Sequence, residues 1–379
     1  MALESNPTLE QARMAIRAAQ GEHRQAGLYP NPVLGYVGDE MGVEGSAGKQ
    51  GAVVAQEFVT AGKLRLGRAA AGHAVEQARH GWEKQRRRVM NDVRVGYYEV
   101  LIAQRMLDVN GQLVRIGDEG VRIAEVLREA MEVGRADVLQ ARIEADTARL
   151  SLDVAENRHR AAWRRLAGVL GRPDLGPAPL EGDVESNLPE FTWDDCLARL
   201  LAQSPELARA RAGVERARCE LARQCAERFP NFEIGLAVKR DTADMGTVAD
   251  VEIGMPIPIF HRNQGHVAKA EAELIAAQRE IRRIELDLHN RLTDAFEQYA
   301  NARRHVETYR DRVLPDARAS LELVRTGYRE GEFGYLTLLT SQRTYFSVSL
   351  EYLGNLRELW IQSVGLEGLL LRGGLQAPE

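Results

Sequence analysis

Three cysteines in 379 residues exclude a scaffold stapled by disulfides. Cys219 and Cys225 stand six positions apart, which turns them to different faces of a helix, so all three thiols are expected to be unpaired. A surplus of one charge is missing too. Fifty basic and 55 acidic residues are interspersed and leave a net charge of −5, which argues against a nucleic-acid partner. No run of about 18 apolar residues occurs, so no helix is expected to cross a membrane, and this says nothing about strands. The opening MALESNPTLEQ has neither the charged nor the apolar region of an export signal.

Catalytic and cofactor signatures are equally scarce. The eight histidines are dispersed, and His261 and His266 lack a cysteine or carboxylate at ligand spacing, so no metal site is expected. EFVTAGKLRLG holds Gly62 and Lys63 without the spaced glycines of a phosphate loop. No Ser-His-Asp or Cys-His grouping is apparent, and the expectation is a protein without cofactor that is not an enzyme.

Proline is absent between Pro32 and Pro173, and its absence marks out what is there. Residues 64–132 are rich in Ala, Arg, Glu, Leu and Gln, enough for one helix of roughly 100 Å at 1.5 Å per residue, a length that suits a coiled coil. A break at Gly134 precedes a second helix over about 137–170, with Asp137 near its positive end. GRPDLGPAPLEGDVESNLPE then reads as a linker over 171–192. The plan restarts with a helix over about 193–228, a non-helical stretch, a long helix over about 263–330 kinked at Pro315, a GEFG turn and a last helix over about 335–371. Two repeats follow, 1–170 and 193–371, and a common offset of 200 relates Pro30-Asn31 to Pro230-Asn231, Gly35 to Gly235 and Gly134 to Gly334.

Each repeat carries one non-helical segment, with a period of two in the second and a less regular pattern at the equivalent place in the first. Phe232, Ile234, Leu236 and Val238 share a face, and Ala249, Val251, Ile253, Met255 and Ile257 return along a second strand, giving a hairpin over 232–257. The first repeat offers VLGYVGDEM and GAVVAQEFV, a hairpin over 33–58. Strands of about nine residues match a tilted membrane span, and four per chain would close into a barrel only by oligomerisation. The alternative is a small sheet packed on the helices.

In order and in duplication these segments resemble the TolC-like outer-membrane efflux channel family, in its heavy-metal and cation efflux branch. NPTLEQARMAIRAAQGEHRQAGLYPNPVLGY resembles that family's opening helix and its Leu-x-Pro-Asn-Pro step into the first strand; VTAGKLRLGRAAAG resembles its strand-to-helix junction, and VLPDARASLELVRTGYREGEFGYLTLLTSQRTY its second tip. The resemblance implies a mainly α protein with a small β part. Long antiparallel coiled-coil helices would form a periplasmic tunnel, and four strands per protomer a trimeric twelve-stranded barrel in outer-membrane lipid. It implies passive, gated conduction of cations or small molecules, with an inner-membrane efflux pump and a periplasmic adaptor (membrane fusion) protein as partners. Carried over by position, the adaptor-facing tips are Val133, Gly134, Arg135, Ala136 and Asp137, and Gly331, Glu332, Phe333, Gly334 and Tyr335. Thr337 and Thr340 stand at the entrance constriction, where some members carry acidic residues, so a carboxylate ring is not implied.

Two further departures are visible. The family's tip glycine often stands six residues before the Asp of a D-V-L-x-A run; here Met131 holds that place and Gly134 is only three before Asp137. FTWDDCLARLLAQ has no counterpart ahead of the first NPTL segment, so an export signal, with or without a lipid-bearing cysteine, is expected upstream of Met1. Turn geometry is the ordinary account of Gly134 and Gly334, since helix C-termini favour a residue that tolerates positive φ. Asp137 reads as a helix-start carboxylate before it reads as a gate. Tyr97, Tyr98, Phe296 and Tyr299 read as packing residues between helices. The rival function is a soluble coiled-coil scaffold or adaptor-type interaction protein, and the discriminator is whether helices cover the apolar faces of the strands.

Overall fold

Helix-forming composition and sparse breakers dictate most of the architecture in the computed structural model, which describes residues 1–42, 47–242 and 244–378. In chain order, α1 (Ala2–Ser5) and α2 (Pro7–Gln25) precede β1 (Val33–Asp39) and β2 (Lys49–Phe58); α3 (Lys63–Glu129) and α4 (Arg135–Val169) complete the first repeat. The second repeat contains α5 (Trp193–Gln203), α6 (Pro205–Ala226), β3 (Phe232–Asp241), β4 (Thr247–Gly254), α7 (Gln264–Thr308), a π turn (Tyr309–Val313), α8 (Leu314–Arg329) and α9 (Tyr335–Glu367).

Breakers act where their chemistry requires. The single helix expected over 193–228 is divided at Ser204, because Pro205 has no amide hydrogen for the preceding turn and disfavours helical backbone in the residue before it. Asn6-Pro7 divides α1 from α2 in the same way, and Asn6 Oδ1 accepts the Thr8 amide at 3.0 Å. The kink expected at Pro315 takes the form of the π turn just before it. Pro315 cannot donate to Asp311, and the ladder widens over Tyr309–Val313. The second hairpin stops at Gly254 rather than at Ile257, since Pro256 and Pro258 cannot donate to a ladder.

The compact units do not coincide with the repeats 1–170 and 193–371. One unit comprises 1–11, 83–204 and 286–379, the other 12–82 and 205–285, so each unit draws on both repeats. In the first unit α4 buries Val138, Ala141, Ala145, Ala148, Ala155, Ala162 and Leu166, a three-four alternation that keeps one seam inward along a left-handed coiled coil. Alanine on that seam allows close approach to α3: a methyl built on Gly117 would lie 3.0 Å from Ala145 Cα. Val100, Ala162, Trp163 and Leu166 form a core cluster in this unit.

Segment 171–192 contains no helix or strand, yet aromatic and amide side chains fasten it along the first unit. Trp163 Nε1 donates to Leu175 O at 2.8 Å and Trp360 Nε1 to Val184 O at 2.9 Å. Tyr299 donates to Pro189 O at 2.9 Å, and Gln104 both donates to and accepts from Leu180. Tyr97 donates to Glu181 O, and Tyr98 stacks on Trp360 at 4.0 Å between centroids. Two of the aromatics expected between helices, Tyr97 and Tyr299, therefore hold the connection as well.

The second unit contains a four-stranded antiparallel sheet in the order β1-β2-β3-β4, so the two hairpins join through β2 and β3. Phe58 and Phe232 stack at one end of that central pair, 5.1 Å between centroids.

Candidate functional site

Two features carry functional information: the helix-hairpin tips of the first unit and the faces of the sheet in the second. The tips are built alike. At the end of α3, Glu132 N–H donates to Leu127 O at 2.9 Å and Met131 N–H to Arg128 O at 3.0 Å. At the end of α8, Glu332 N–H donates to Gly327 O at 2.8 Å and Gly331 N–H to Tyr328 O at 3.2 Å. Both are helix caps of the Schellman type, which place one residue in the left-handed region.

That residue is Met131 (φ 60°) in the first tip and Gly331 (φ 81°) in the second, 200 positions apart. Gly134 and Gly334 have φ of −80° and −73° and serve as N-caps of α4 and α9, which corrects the positive-φ account of them. Nothing lies within 4 Å of a methyl built on Gly334, and on Gly134 a methyl would meet only ordinary contacts.

Val133 is half-buried, while Gly134, Arg135, Ala136 and Asp137 are exposed. Asp137 Oδ2 accepts the Gly134 amide at 2.9 Å, so this carboxylate closes the start of α4. Gly331, Glu332, Phe333 and Gly334 are exposed. Phe333 folds back on Gly327, where an added methyl would lie 2.5 Å from its ring. Thr337 and Thr340 are exposed; the Thr337 amide donates to Gly334 O at 3.1 Å and the Thr340 hydroxyl to Leu336 O at 2.9 Å.

Tyr335 is where the tips meet. Its ring packs, as Val121 does, against the cluster of Ala124, Val138 and Ala141, and its hydroxyl fills the notch at Gly120, where a methyl would stand 2.1 Å away. Burial pushes its phenol pKa up, and Tyr328 and Glu144 add to the shift. Arg343 on α9 reaches Glu144 on α4 at 3.7 Å, a second link between the hairpins. Sequence reasoning missed Gly120 and Gly327, and it placed Met131 at the family's tip-glycine position without assigning it the left-handed turn. The offset of 200 between Met131 and Gly331 was the available signal for the last.

Along the sheet, paired residues share a face and neighbours alternate. One face carries Leu34 and Tyr36 of β1, Val54 of β2, Ile234, Leu236 and Val238 of β3, and Val251 and Ile253 of β4. All but the half-buried Ile234 are uncovered: Leu34 is 76% exposed, Tyr36 68%, Leu236 54%, Val251 67% and Ile253 70%. The opposite face holds Asp39, Lys49, Glu57, Glu233, Lys239, Asp241, Asp250 and Glu252. Lys239 donates to Asp39 and, at 2.5 Å, to Asp250. Beside it a methyl on Gly51 would collide with Val238 O at 1.9 Å, so only glycine fits there. An apolar face open across all four strands, backed by a charged one, is the discriminator stated above, and it favours strands that meet lipid over a sheet packed on helices.

Among the described residues no group of three or more His, Cys, Asp and Glu side chains could hold a metal ion, and no helix is long and apolar enough to cross a membrane.

The model of the outer membrane efflux protein family matches residues 1–172 and 196–370. The chain is 27% identical over 378 residues to the cobalt-zinc-cadmium resistance protein CzcC of Cupriavidus metallidurans, covering 98% of this chain and 88% of that protein. Its fold is similar to the outer-membrane channel OprN (TM-score 0.79, 19% identity, 99% of this chain and 89% of that one). It is similar also to CusC (TM-score 0.76, 18% identity, 98% and 90%). Four strands with one bare apolar face, two matched helical tips and this family match agree: the chain belongs to the outer membrane efflux protein family and is an exit channel of the outer membrane.

Proposed function

We propose that three copies of this chain close their strands into a twelve-stranded barrel and their helices into a periplasmic tunnel, which conducts passively and catalyses nothing. The carrying observation is the uncovered apolar face shared by β1 to β4, too wide for a lone sheet in water and charged on its other side. A periplasmic adaptor docks at the exposed tips Val133 to Asp137 and Gly331 to Tyr335, and an inner-membrane pump supplies energy and cargo. Thr337 and Thr340 line the constriction; neither carries a charge and the Thr340 hydroxyl is spent on Leu336 O, so closure there is steric. The likeness to CzcC supports divalent cations as cargo. Given an outer-membrane export signal, the chain is expected in the outer-membrane fraction of a Gram-negative host as trimers that dissociate on heating. Monomer in the soluble fraction would sink this reading. Arg135→Glu and Glu332→Arg are expected to weaken adaptor capture without loss of trimer, and unchanged capture by both would remove these residues from the contact.

A further inference from the structure

The internal repeat contains a template for the seam between copies. β1 and β3 correspond at an offset of 200, as Gly35 and Gly235 show. Because Gly35 pairs with Val53 and Gly235 pairs with Glu252, the counterpart of Val53 is Glu252, and β2 corresponds to β4 at an offset of 199. Among the described residues, the pairing of β2 with β3 is therefore the one place where the second strand of a repeat meets the first strand of the next. A closed barrel requires the same kind of pairing between β4 and β1 of a second copy, and it is antiparallel in the same sense.

Both edges are open for it. All eight residues of β4 are exposed, and β1 leaves Val33, Leu34 and Tyr36 at 64%, 76% and 68%. The alternation of apolar and charged faces fixes the parity of the register, because a shift of one residue would exchange the faces. Among registers of that parity the repeat selects one. Val54 pairs with Leu236, and their counterparts are Ile253 and Tyr36; Val53 pairs with Ala237, and theirs are Glu252 and Val37.

We infer that β4 of one copy joins β1 of the next with Ile253 opposite Tyr36 and Glu252 opposite Val37. The inference rests on the trimeric-barrel reading and adds the register of its seam. The same register sets Met255 against Leu34, extending the apolar face, and Asp250 beside Asp39. Each of those carboxylates is already held by a Lys239 of its own chain, and the two flanking ammonium groups offset the repulsion of carboxylates set opposite each other.

A second observation agrees. Asn231 locks the junction after β2 by accepting from the Thr60 amide at 3.2 Å and from Lys63 Nζ at 2.8 Å, and by donating to Glu57 at 2.7 Å. Its counterpart Asn31 is exposed and makes no side-chain hydrogen bond among the described residues. In this register the segment after β4 of the next copy arrives beside it.

The test is oxidative cross-linking in the full chain carrying Cys196→Ala, Cys219→Ser and Cys225→Ser. Two double variants probe the register, Tyr36→Cys with Ile253→Cys and Val37→Cys with Glu252→Cys. Two neighbouring pairs ensure that one occupies the closer, non-hydrogen-bonded site, near 4.5 Å between Cα atoms. Leu34→Cys with Ile253→Cys and Gly38→Cys with Ile253→Cys probe shifts of two residues. The inferred pairs are expected to give covalent dimers and trimers on the order of tenfold above the shifted pairs, whose diagonal separation exceeds disulfide reach. Cross-links in a shifted pair, or heat-labile trimers with no cross-link in any pair, would overturn the register and leave the barrel standing. Loss of trimer already in the cysteine-free chain would overturn the barrel reading, and the seam with it.

Discussion

Met131 and Gly331 occupy the same left-handed position in two copies of one turn, and exchanging their chemistry should act with opposite signs. A non-glycine residue there is strained by roughly 1–2 kcal/mol. Met131 is 93% exposed and loses no packing when removed, so Met131→Gly relieves that strain. Glycine gives back part of the gain, about 0.4–1 kcal/mol, through the freedom of the opened chain. The net expectation is a first tip more stable by about 0.5–1 kcal/mol, and by the same reckoning Gly331→Ala destabilises the second by about as much. No neighbour lies within 4 Å of a methyl at position 331, so the loss reports backbone strain alone. Hydrogen exchange reads both. The Met131 and Glu132 amides, bonded to Arg128 O and Leu127 O, should exchange about two- to fivefold more slowly in Met131→Gly. The Gly331 and Glu332 amides should exchange faster by the same factor in Gly331→Ala. As a control, Gly134→Ser and Gly334→Ser at ordinary φ should be neutral or protective. Faster exchange in Met131→Gly, or shifts of one sign in both variants, would refute the turn assignment.

Three further outcomes are expected. Asp137→Ala should loosen the start of α4 by about 1 kcal/mol, since it removes the carboxylate on the Gly134 amide, and hydrogen exchange should show the change at the first tip alone. In an open groove of about 1020 Å³ bordered by α3, α8 and α9, burial first and Glu185 next push the Tyr352 phenol up to about 12. The raised value favours the neutral ring in the folded state, so its contribution is intact below an unfolded value near 10 and is lost as pH climbs through about 12. Tyr352→Phe, which removes a buried hydroxyl with no hydrogen-bond partner among the described residues, should be neutral or stabilising at pH 7 and should flatten the alkaline fall in thermal stability. Val251→Arg on the bare face should cost roughly 2–4 kcal/mol of membrane stability and lower the outer-membrane fraction, whereas Glu252→Arg on the charged face should leave it unchanged.

The long helices, the two hairpins and the places of the tips were legible because each rests on a local signal. Proline absence frames α3, period two marks β3, and the Pro30-Asn31 and Pro230-Asn231 steps announce the strands. What was not legible depends on partners distant in sequence. Trp163 and Trp360 spend their indole nitrogens on a linker that composition described only as polar. Gly120 looks like any helical glycine until Tyr335, far along the chain, fills its notch. Pro205 and Pro256 did speak locally: the breaks they impose at Ser204 and after Gly254 follow from the missing amide hydrogen, and apolar pattern alone overran both. The tip glycines show the converse error. A residue type that fits a left-handed turn drew attention to Gly134, while Met131 adopts the turn without being glycine.

The most direct measurement of the central claim is the conductance of the purified trimer in a planar lipid bilayer. The account predicts discrete single-channel steps that grow in Tyr335→Ala, because the ring between Gly120 and Ala124 then no longer ties the two hairpins together. A reconstituted trimer that gives no steps, with and without that substitution, would contradict it.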